Sequence, residues 1–204
     1  MILYGENNPA PNPRRVRIFI AEKGLDLPET RVNLRQREHK SDDHRARNSL
    51  GQVPTLVLDD GTAISESVSI CRYLESLHPT PALFGASALE QAQIDMWIRR
   101  IEFQMMTPVG MFWRHAHPLT AALLTQHKDF GESNRETYDR VCRWLDGELA
   151  DGRPFLAGHT YSMADIVAQT TVDFASFIGL ERPADAAHFG GWHDRVSARP
   201  SAAA

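Results

Sequence analysis

Asn48-Ser49-Leu50-Gly51-Gln52-Val53-Pro54-Thr55-Leu56-Val57-Leu58-Asp59-Asp60-Gly61-Thr62-Ala63-Ile64-Ser65-Glu66-Ser67 is the stretch on which the reading of the chain turns. Gly51 marks a turn, and the β-branched and leucine residues from Val53 to Leu58 predict a short strand with Pro54 near its start. Asp59-Asp60-Gly61 is a hairpin signal, with Thr62-Ala63-Ile64 as the return strand. Glu66-Ser67 then opens a helix whose apolar positions Val68, Cys71, Leu74 and Leu77 recur at helical spacing.

Two features of this stretch can hold a peptide. A proline near a strand start removes one ladder donor and marks an edge or a bend. With a trans bond, Pro54 is an ordinary edge proline. With a cis bond, Val53 presents its N–H and C=O outward, where they can pair with another extended backbone. Ser67 at a helix N-terminus reads either as a simple cap or as part of a seat for a carboxylate, because unpaired amides and the helix dipole favour an anion there.

Asn48-x-x-Gly51-Gln52-Val53-Pro54, a hairpin and Glu66-Ser67 at a helix start resemble the glutathione-binding core of the cytosolic glutathione transferases. The resemblance implies an α+β chain: a thioredoxin-like N-terminal domain (βαβ–ββα) with a cis-proline, then an all-α C-terminal domain. It implies that Val53 pairs with the cysteinyl backbone of glutathione and that Glu66 and Ser67 hold its γ-glutamyl end. One departure is Ser49, where the family usually has proline. This changes how the turn is stiffened and leaves the ligand contacts intact.

The 204 residues suffice for one large or two small domains. With 42% hydrophobic and 24% charged residues and a net charge of −4, the composition is that of an ordinary soluble protein. Neither a basic patch for nucleic acid nor an apolar run long enough for a bilayer is present in the sequence. The chain starts directly with a strand, so no signal peptide is read, and its two isolated cysteines, Cys71 and Cys142, fit buried packing positions in a reducing compartment, the cytoplasm.

Further along, Met1 to Tyr4 predicts a strand and Glu6 to Pro13 a loop. A helix follows from Arg14 to Lys23, capped by Asn12, started by Pro13, ended by Gly24 and burying Val16, Phe19 and Ile20. Glu29 to Asn33 predicts a second strand, and Leu34 to Arg47 an irregular charged segment with one short helix. Leu77-His78-Pro79-Thr80-Pro81 and Gly85 set the domain boundary, giving domains over 1–80 and 87–204. The second domain should hold a long helix from Ala88 to His115 kinked at Pro108, and a helix from Glu132 to Leu149 burying Tyr138, Val141, Trp144 and Leu145. A helix from Ile166 to Phe177 should open on the capping box Ser162-Met163-Ala164-Asp165, and a short last helix should carry Trp192. Phe155-Leu156-Ala157-Gly158 before that box is similar to the folding signature of the family's C-terminal domain.

Glutathione transfer needs a thiolate. Lowering a free thiol from ~8.5 by ~2 units takes ~2.7 kcal/mol. A helix N-terminus supplies ~0.3–1 kcal/mol, or ~2 when partly buried, and a donor to a charged group ~1.5–3. The family usually adds a Tyr, Ser or Cys near the start of the first helix, and none stands there in Glu6-Asn7-Asn8-Pro9-Ala10-Pro11-Asn12-Pro13. Tyr4 is the nearest hydroxyl, in a strand where sheet packing is its ordinary role. The Asn12 amide can point at the sulfur or cap the helix. This loop, Asn12-Pro13-Arg14-Arg15-Val16-Arg17-Ile18-Phe19 and Met96-Trp97-x-Arg99-Arg100-x-Glu102-Phe103 resemble an atypical branch that lacks the N-terminal hydroxyl or thiol. In that branch a helix N-terminus and a water held by the C-terminal domain are thought to activate the sulfur. The candidate to hold that water is His115, an imidazole able to order water near neutral pH; His117 is a weaker one. The two histidines suggest no third ligand and no metal. His39 and Lys40 match a position that can meet the glycine carboxylate, or form a solvated loop; Gln52 can donate as well.

The leading expectation is a dimeric cytoplasmic glutathione transferase with glutathione as co-substrate and a small hydrophobic electrophile. Met105, Met106, Met111, Phe112 and Trp113 are candidates for an apolar wall or for the core. The alternatives are a glutathione-dependent reductase, isomerase or dehalogenase on the same scaffold, or a non-catalytic binding or regulatory protein.

Overall fold

The computed structural model describes residues 1–7 and 9–204; Asn8, within the loop predicted over Glu6 to Pro13, lies outside the described residues. The chain divides into two compact units, Met1–Phe84 with Pro200–Ala204, and Gly85–Arg199.

The first unit holds β1 (Ile2–Gly5), α1 (Pro11–Lys23), β2 (Glu29–Arg31), α2 (Asp42–Arg47), β3 (Thr55–Val57), β4 (Ala63–Ser65) and α3 (Ser67–Leu77). The sheet order is β2-β1-β3-β4, with β1 parallel to β2 and the other pairs antiparallel. Tyr4 stands opposite Thr55, and Thr55 opposite Ser65. The hairpin closes as read: Gly61 has φ +87° and donates to the Leu58 carbonyl, and Thr62 donates to Asp60 Oδ1. Leu3 and Leu56 on the sheet, Val16, Ile18 and Phe19 of α1, and Ile70, Cys71 and Leu74 of α3 are all buried, with α1 packed on α3 and α3 on β3. Ile20 is half-buried and Ile18 takes its expected place inside; Leu77 is 47% exposed, because the last turn of α3 runs past the core. Gly24 ends α1 in the left-handed conformation.

The last five residues belong with this unit, against the expectation of a second domain over 87–204. Pro200–Ala203 forms a 3-10 turn on α1, where Arg14 Nη2 donates to the Ala202 carbonyl at 2.8 Å.

The second unit is helical: α4 (Ala88–Arg100), a π-helical segment (Ile101–Met106), α5 (Thr107–His115), α6 (Lys128–Glu148), α7 (Met163–Phe177) and α8 (Ala187–Ser197). The predicted kink at Pro108 appears as this π segment. Proline lacks an N–H and crowds the carbonyl four residues back, and widening the helix just before it relieves both. Ile94, Trp97, Ile98, Ile101, Met105 and Val109 are buried as expected. Trp144 is half-buried and stacks on Trp97 at 5.8 Å. The capping box before α7 is present, with Ser162 N–H donating to Asp165 Oδ2 at 3.0 Å. Asp165, 0% exposed, also accepts from the Ser162 hydroxyl, the Leu156 amide and the Trp192 indole. Burial pushes its carboxyl above the usual range against the pull of those donors. This one carboxylate therefore joins the 155–158 turn, the start of α7 and α8.

Candidate functional site

The loop before β3 is built around Asn48 and His44. The Gln52 carbonyl accepts from His44 Nε2 at 2.8 Å and Asn48 Nδ2 at 3.0 Å. A carbonyl only accepts, so a neutral His44 carries its proton on Nε2. Asn48 also accepts from the Leu50 amide and donates to Thr55 Oγ1. Gly51 has φ +56°, and a Cβ there would lie 2.6 Å from the His39 carbonyl oxygen, so only glycine fits this crossing. Lys40 Nζ donates to the Leu50 and Gly51 carbonyls at 3.1 and 2.7 Å. Lys40 is thus a brace of the loop rather than a solvated lysine, with one N–H left to offer. His39 is half-buried; burial lowers its pKa, with Lys40, His44, Arg37 and Arg45 adding to the effect.

With the Gln52 carbonyl held inward, Val53 follows in a cis peptide with Pro54. Among the described residues the Val53 N–H and C=O have no backbone partner, and the first ladder pair is Thr55 with Tyr4. A short length of extended backbone is therefore open to another chain. The Gln52 side chain is exposed beside it.

On the other side of the hairpin, Glu66 stands at φ +67°, a conformation a non-glycine residue rarely takes. It turns the chain into α3, whose first intrahelical bond runs from the Ile70 amide to the Glu66 carbonyl at 2.9 Å. The N-cap supplies no side-chain bond, so the amides of Ser67, Val68 and Ser69 have no partner among the described residues. Ser67 is the first helical residue, not the cap. Its buried hydroxyl accepts from Arg15 Nη1 at 3.4 Å and keeps its own proton to donate. Three amides, a hydroxyl and a buried guanidinium together form a seat for a carboxylate.

Arg15 is the residue that sequence reading missed. It is 2% exposed, on the inward stripe of α1 with Phe19 and Lys23 at four-residue steps. Two cations at core positions of a short helix are the signal that could have revealed it.

The α1 end differs. Pro11 is the first helical residue and Ala10 the N-cap, so Asn12 is the second residue of the helix, not its cap. Pro11 fits there because an amide at that position has no helical partner to lose and its φ is preset. Pro11 and Pro13 carry no N–H, and Arg14 N donates to the Ala10 carbonyl. In the first turn the Asn12 amide is the one backbone donor without a partner among the described residues. Tyr4 is half-buried in β1, its ring 4.5 Å from the Arg47 guanidinium carbon on α2.

Within the second unit, His115 ends α5. Gly131 of α6 sits where a Cβ would meet the His115 carbonyl carbon and the Ala116 amide at 2.7 Å, so glycine lets α6 close on α5. His115 Nδ1 accepts from the His127 amide at 3.4 Å, which puts the neutral proton on Nε2; its ring packs on Phe130. His117 Nδ1 accepts from the Leu119 amide and its ring lies 4.7 Å from Trp113; burial lowers its pKa. Met105 and Phe112 are core residues and cannot line an open wall, while Met106, Met111 and Trp113 remain partly exposed. Among the described residues no group of three or more His, Cys, Asp or Glu side chains converges to hold a metal.

A mixed four-stranded sheet with a cis-proline before β3 and an open helix N-terminus after β4, followed by a helical unit, defines a thioredoxin-like binding domain joined to an all-α domain. Two family models match: "Glutathione S-transferase, N-terminal domain" over residues 10–77 and "Glutathione S-transferase, C-terminal domain" over residues 104–200. Glutathione S-transferase 2 of Saccharomyces cerevisiae is 37% identical over 98% of this chain and 87% of its own. The human glutathione S-transferase theta-2B is 29% identical over 91% and 76%. The crystal structure of a glutathione S-transferase domain-containing protein from Marinobacter aquaeolei superposes with a TM-score of 0.91 at 37% identity, covering 98% of this chain and 99% of that one. That of Gtt2 from Saccharomyces cerevisiae gives 0.90 at 35%, covering 98% of each. The chain belongs to the glutathione S-transferase family.

Proposed function

We propose that the protein is a glutathione transferase that binds glutathione on its first unit and transfers the sulfur to small hydrophobic electrophiles. The observation that carries this reading is the pair of open backbone sites on either side of one hairpin: Val53 after the cis bond, and the three unpaired amides with the Ser67 hydroxyl at α3. Val53 pairs with the cysteinyl backbone. Glu66 and Ser67 take the γ-glutamyl group, the exposed Glu66 carboxylate meeting its ammonium and Ser67 its carboxylate. His39, the remaining N–H of Lys40 and the Gln52 side chain meet the glycine carboxylate.

The thiol takes the Asn12 amide as its first donor. One amide at a partly exposed helix end gives less than the ~2.7 kcal/mol that a two-unit shift needs, so a second donor is required. We assign it to a water ordered by His115, whose Nε2–H is free to donate once Nδ1 accepts from His127. The protein works as a cytoplasmic homodimer in detoxification, a setting that its two buried free cysteines suit. A stripe of exposed Leu89, Met96 and Phe103 at seven-residue steps supports pairing through α4 and the π segment. No described helix is long and apolar enough to cross a membrane.

The test is conjugation with a panel of activated aryl halides, epoxides and enones beside glutathione calorimetry. Binding with turnover of at least one electrophile is the expected result. Binding without turnover or thiolate would favour a regulatory glutathione binder, which the donor-poor end of α1 also suits.

A further inference from the structure

The first turn of α1 is short of internal bonds. The first three residues of a helix have no intrahelical acceptor for an amide, and the first bond that does form, from the Arg14 amide to the Ala10 carbonyl, is long at 3.3 Å. An outside contact holds the turn instead. Arg14 reaches the 3-10 turn Pro200–Ala203, donating from Nη2 to the Ala202 carbonyl at 2.8 Å and from Nε to the Ala204 carbonyl at 3.4 Å. Ser201, 7% exposed, donates its hydroxyl to the Glu22 carboxylate in the last turn of the same helix. The segment is therefore fastened along α1 at both ends, 188 residues from Arg14 by sequence at its Ala202 contact.

We propose that Arg14 and the 200–204 segment act as a strap that positions the Asn12 amide against the sulfur of glutathione. Arg14 is a positioning residue: it acts through the backbone next to it, tying the first turn of α1 to the 200–204 segment. The proposal rests on the glutathione reading of α1. The other cations of this helix have their own partners: Arg15 at Ser67, Arg17 at the Glu6 carbonyl and Glu29, and Lys23 at the His78 carbonyl and Glu75.

Three variants separate the strap from its charge. Arg14→Met removes both, Arg14→Lys keeps the charge and loses the fork, and Ser201→Ala loosens the strap without touching charge near the first turn. The readouts are ultraviolet absorbance of bound thiolate against pH, kcat and KM, and hydrogen exchange of the Asn12 amide in the free protein. Arg14→Met should raise the apparent pKa of bound glutathione by about 0.5–1 unit, lowering turnover below that pKa about three- to tenfold. Affinity for glutathione at low pH, where the thiol is neutral, should stay within about twofold, and Asn12 exchange should accelerate. Ser201→Ala and Arg14→Lys should shift in the same direction by less. The strap is overturned if Arg14→Met moves neither pKa nor exchange. It is equally overturned if Arg14→Lys and Ser201→Ala match wild type while Arg14→Met shifts, since charge alone then acts. If wild type shows no thiolate, the glutathione reading of α1 is what fails, and Asn12 exchange still decides the strap.

Discussion

Replacing Ser67 by alanine tests the carboxylate seat on α3 directly. The Ser67 hydroxyl accepts from Arg15 at 3.4 Å, a long contact whose loss should cost little stability, and its proton has no acceptor among the described residues. On the proposed reading, that proton is the one donated to the γ-glutamyl carboxylate in the complex. A hydrogen bond to a charged group contributes ~1.5–3 kcal/mol. Here the carboxylate would keep the three open amides of Ser67, Val68 and Ser69, so the loss falls around the low end of that range, ~1–2 kcal/mol, or about five- to thirtyfold in Kd. S-methylglutathione is the ligand of choice for calorimetry, because it removes thiol ionisation from the measurement. Ser69→Ala, on an exposed residue of the same turn, is the matched control and should change Kd by less than about twofold. A glutathione analogue without the γ-glutamyl carboxylate should bind wild type and Ser67→Ala almost equally, closing a double-mutant cycle on the one contact. An unchanged Kd for Ser67→Ala with S-methylglutathione, at unchanged Tm, would refute the seat. So would an equal loss with the truncated analogue.

Three further outcomes follow from the same geometry. Tyr4→Phe should leave the bound-thiolate titration unchanged, whereas His115→Ala should raise the apparent thiol pKa and slow conjugation about tenfold for ~1.4 kcal/mol lost; the opposite pattern would return the role to a tyrosine hydroxyl. Light scattering at micromolar concentration should give twice the chain mass, and Met96→Glu with Phe103→Glu on the exposed stripe should halve it; a monomeric wild type removes the dimer. Burial raises the Glu6 pKa, but the Leu34 and Asn7 amides and the Arg31 guanidinium outweigh it and hold the carboxyl below its ordinary value. A lowered folded pKa means stabilisation that is present above the unfolded value and lost as pH falls through the folded one. The Tm gap between wild type and Glu6→Gln should therefore be full near neutral pH and close below about pH 4; a gap independent of pH would show that the charge is not involved.

The fold was legible because its signals are local. Asp59-Asp60-Gly61, the helical spacing of Val68, Cys71 and Leu74, and the Ser162–Asp165 box each act within a few residues, and each formed where expected. What was not legible depends on long-range pairing. Nothing near Arg14 announces Ala202, nothing near Arg15 announces Ser67, and nothing near Lys40 separates a solvated cation from one that braces two carbonyls. The helix start was misplaced for a local reason. Asn12 is a good cap and Pro13 a good first residue, but Pro11 is an equally good one, and the earlier proline begins the helix. At Pro108 the break was legible and its form was not, because a π segment and a simple kink both answer a missing N–H.

The N-termini of α1 and α3 differ in the sense that their proposed ligands require. The γ-glutamyl carboxylate is charged at every physiological pH, so on the proposed reading a seat with three amides and a hydroxyl would bind it without altering its state. The sulfur must ionise and then leave its donors to attack. Every donor that lowers its pKa also lowers its nucleophilicity, with a Brønsted slope of ~0.4–0.5, and the best attacking thiol titrates near ambient pH. A donor-rich end of α1 would pull the pKa far below neutrality and hold the sulfur back. Pro11 and Pro13 leave it a single amide, enough to share the task with one other donor and too little to over-stabilise the anion. On this physical ground, an end of α1 without Ser, Tyr or Cys is compatible with catalysis: the pKa needs to come down by about two units and no further.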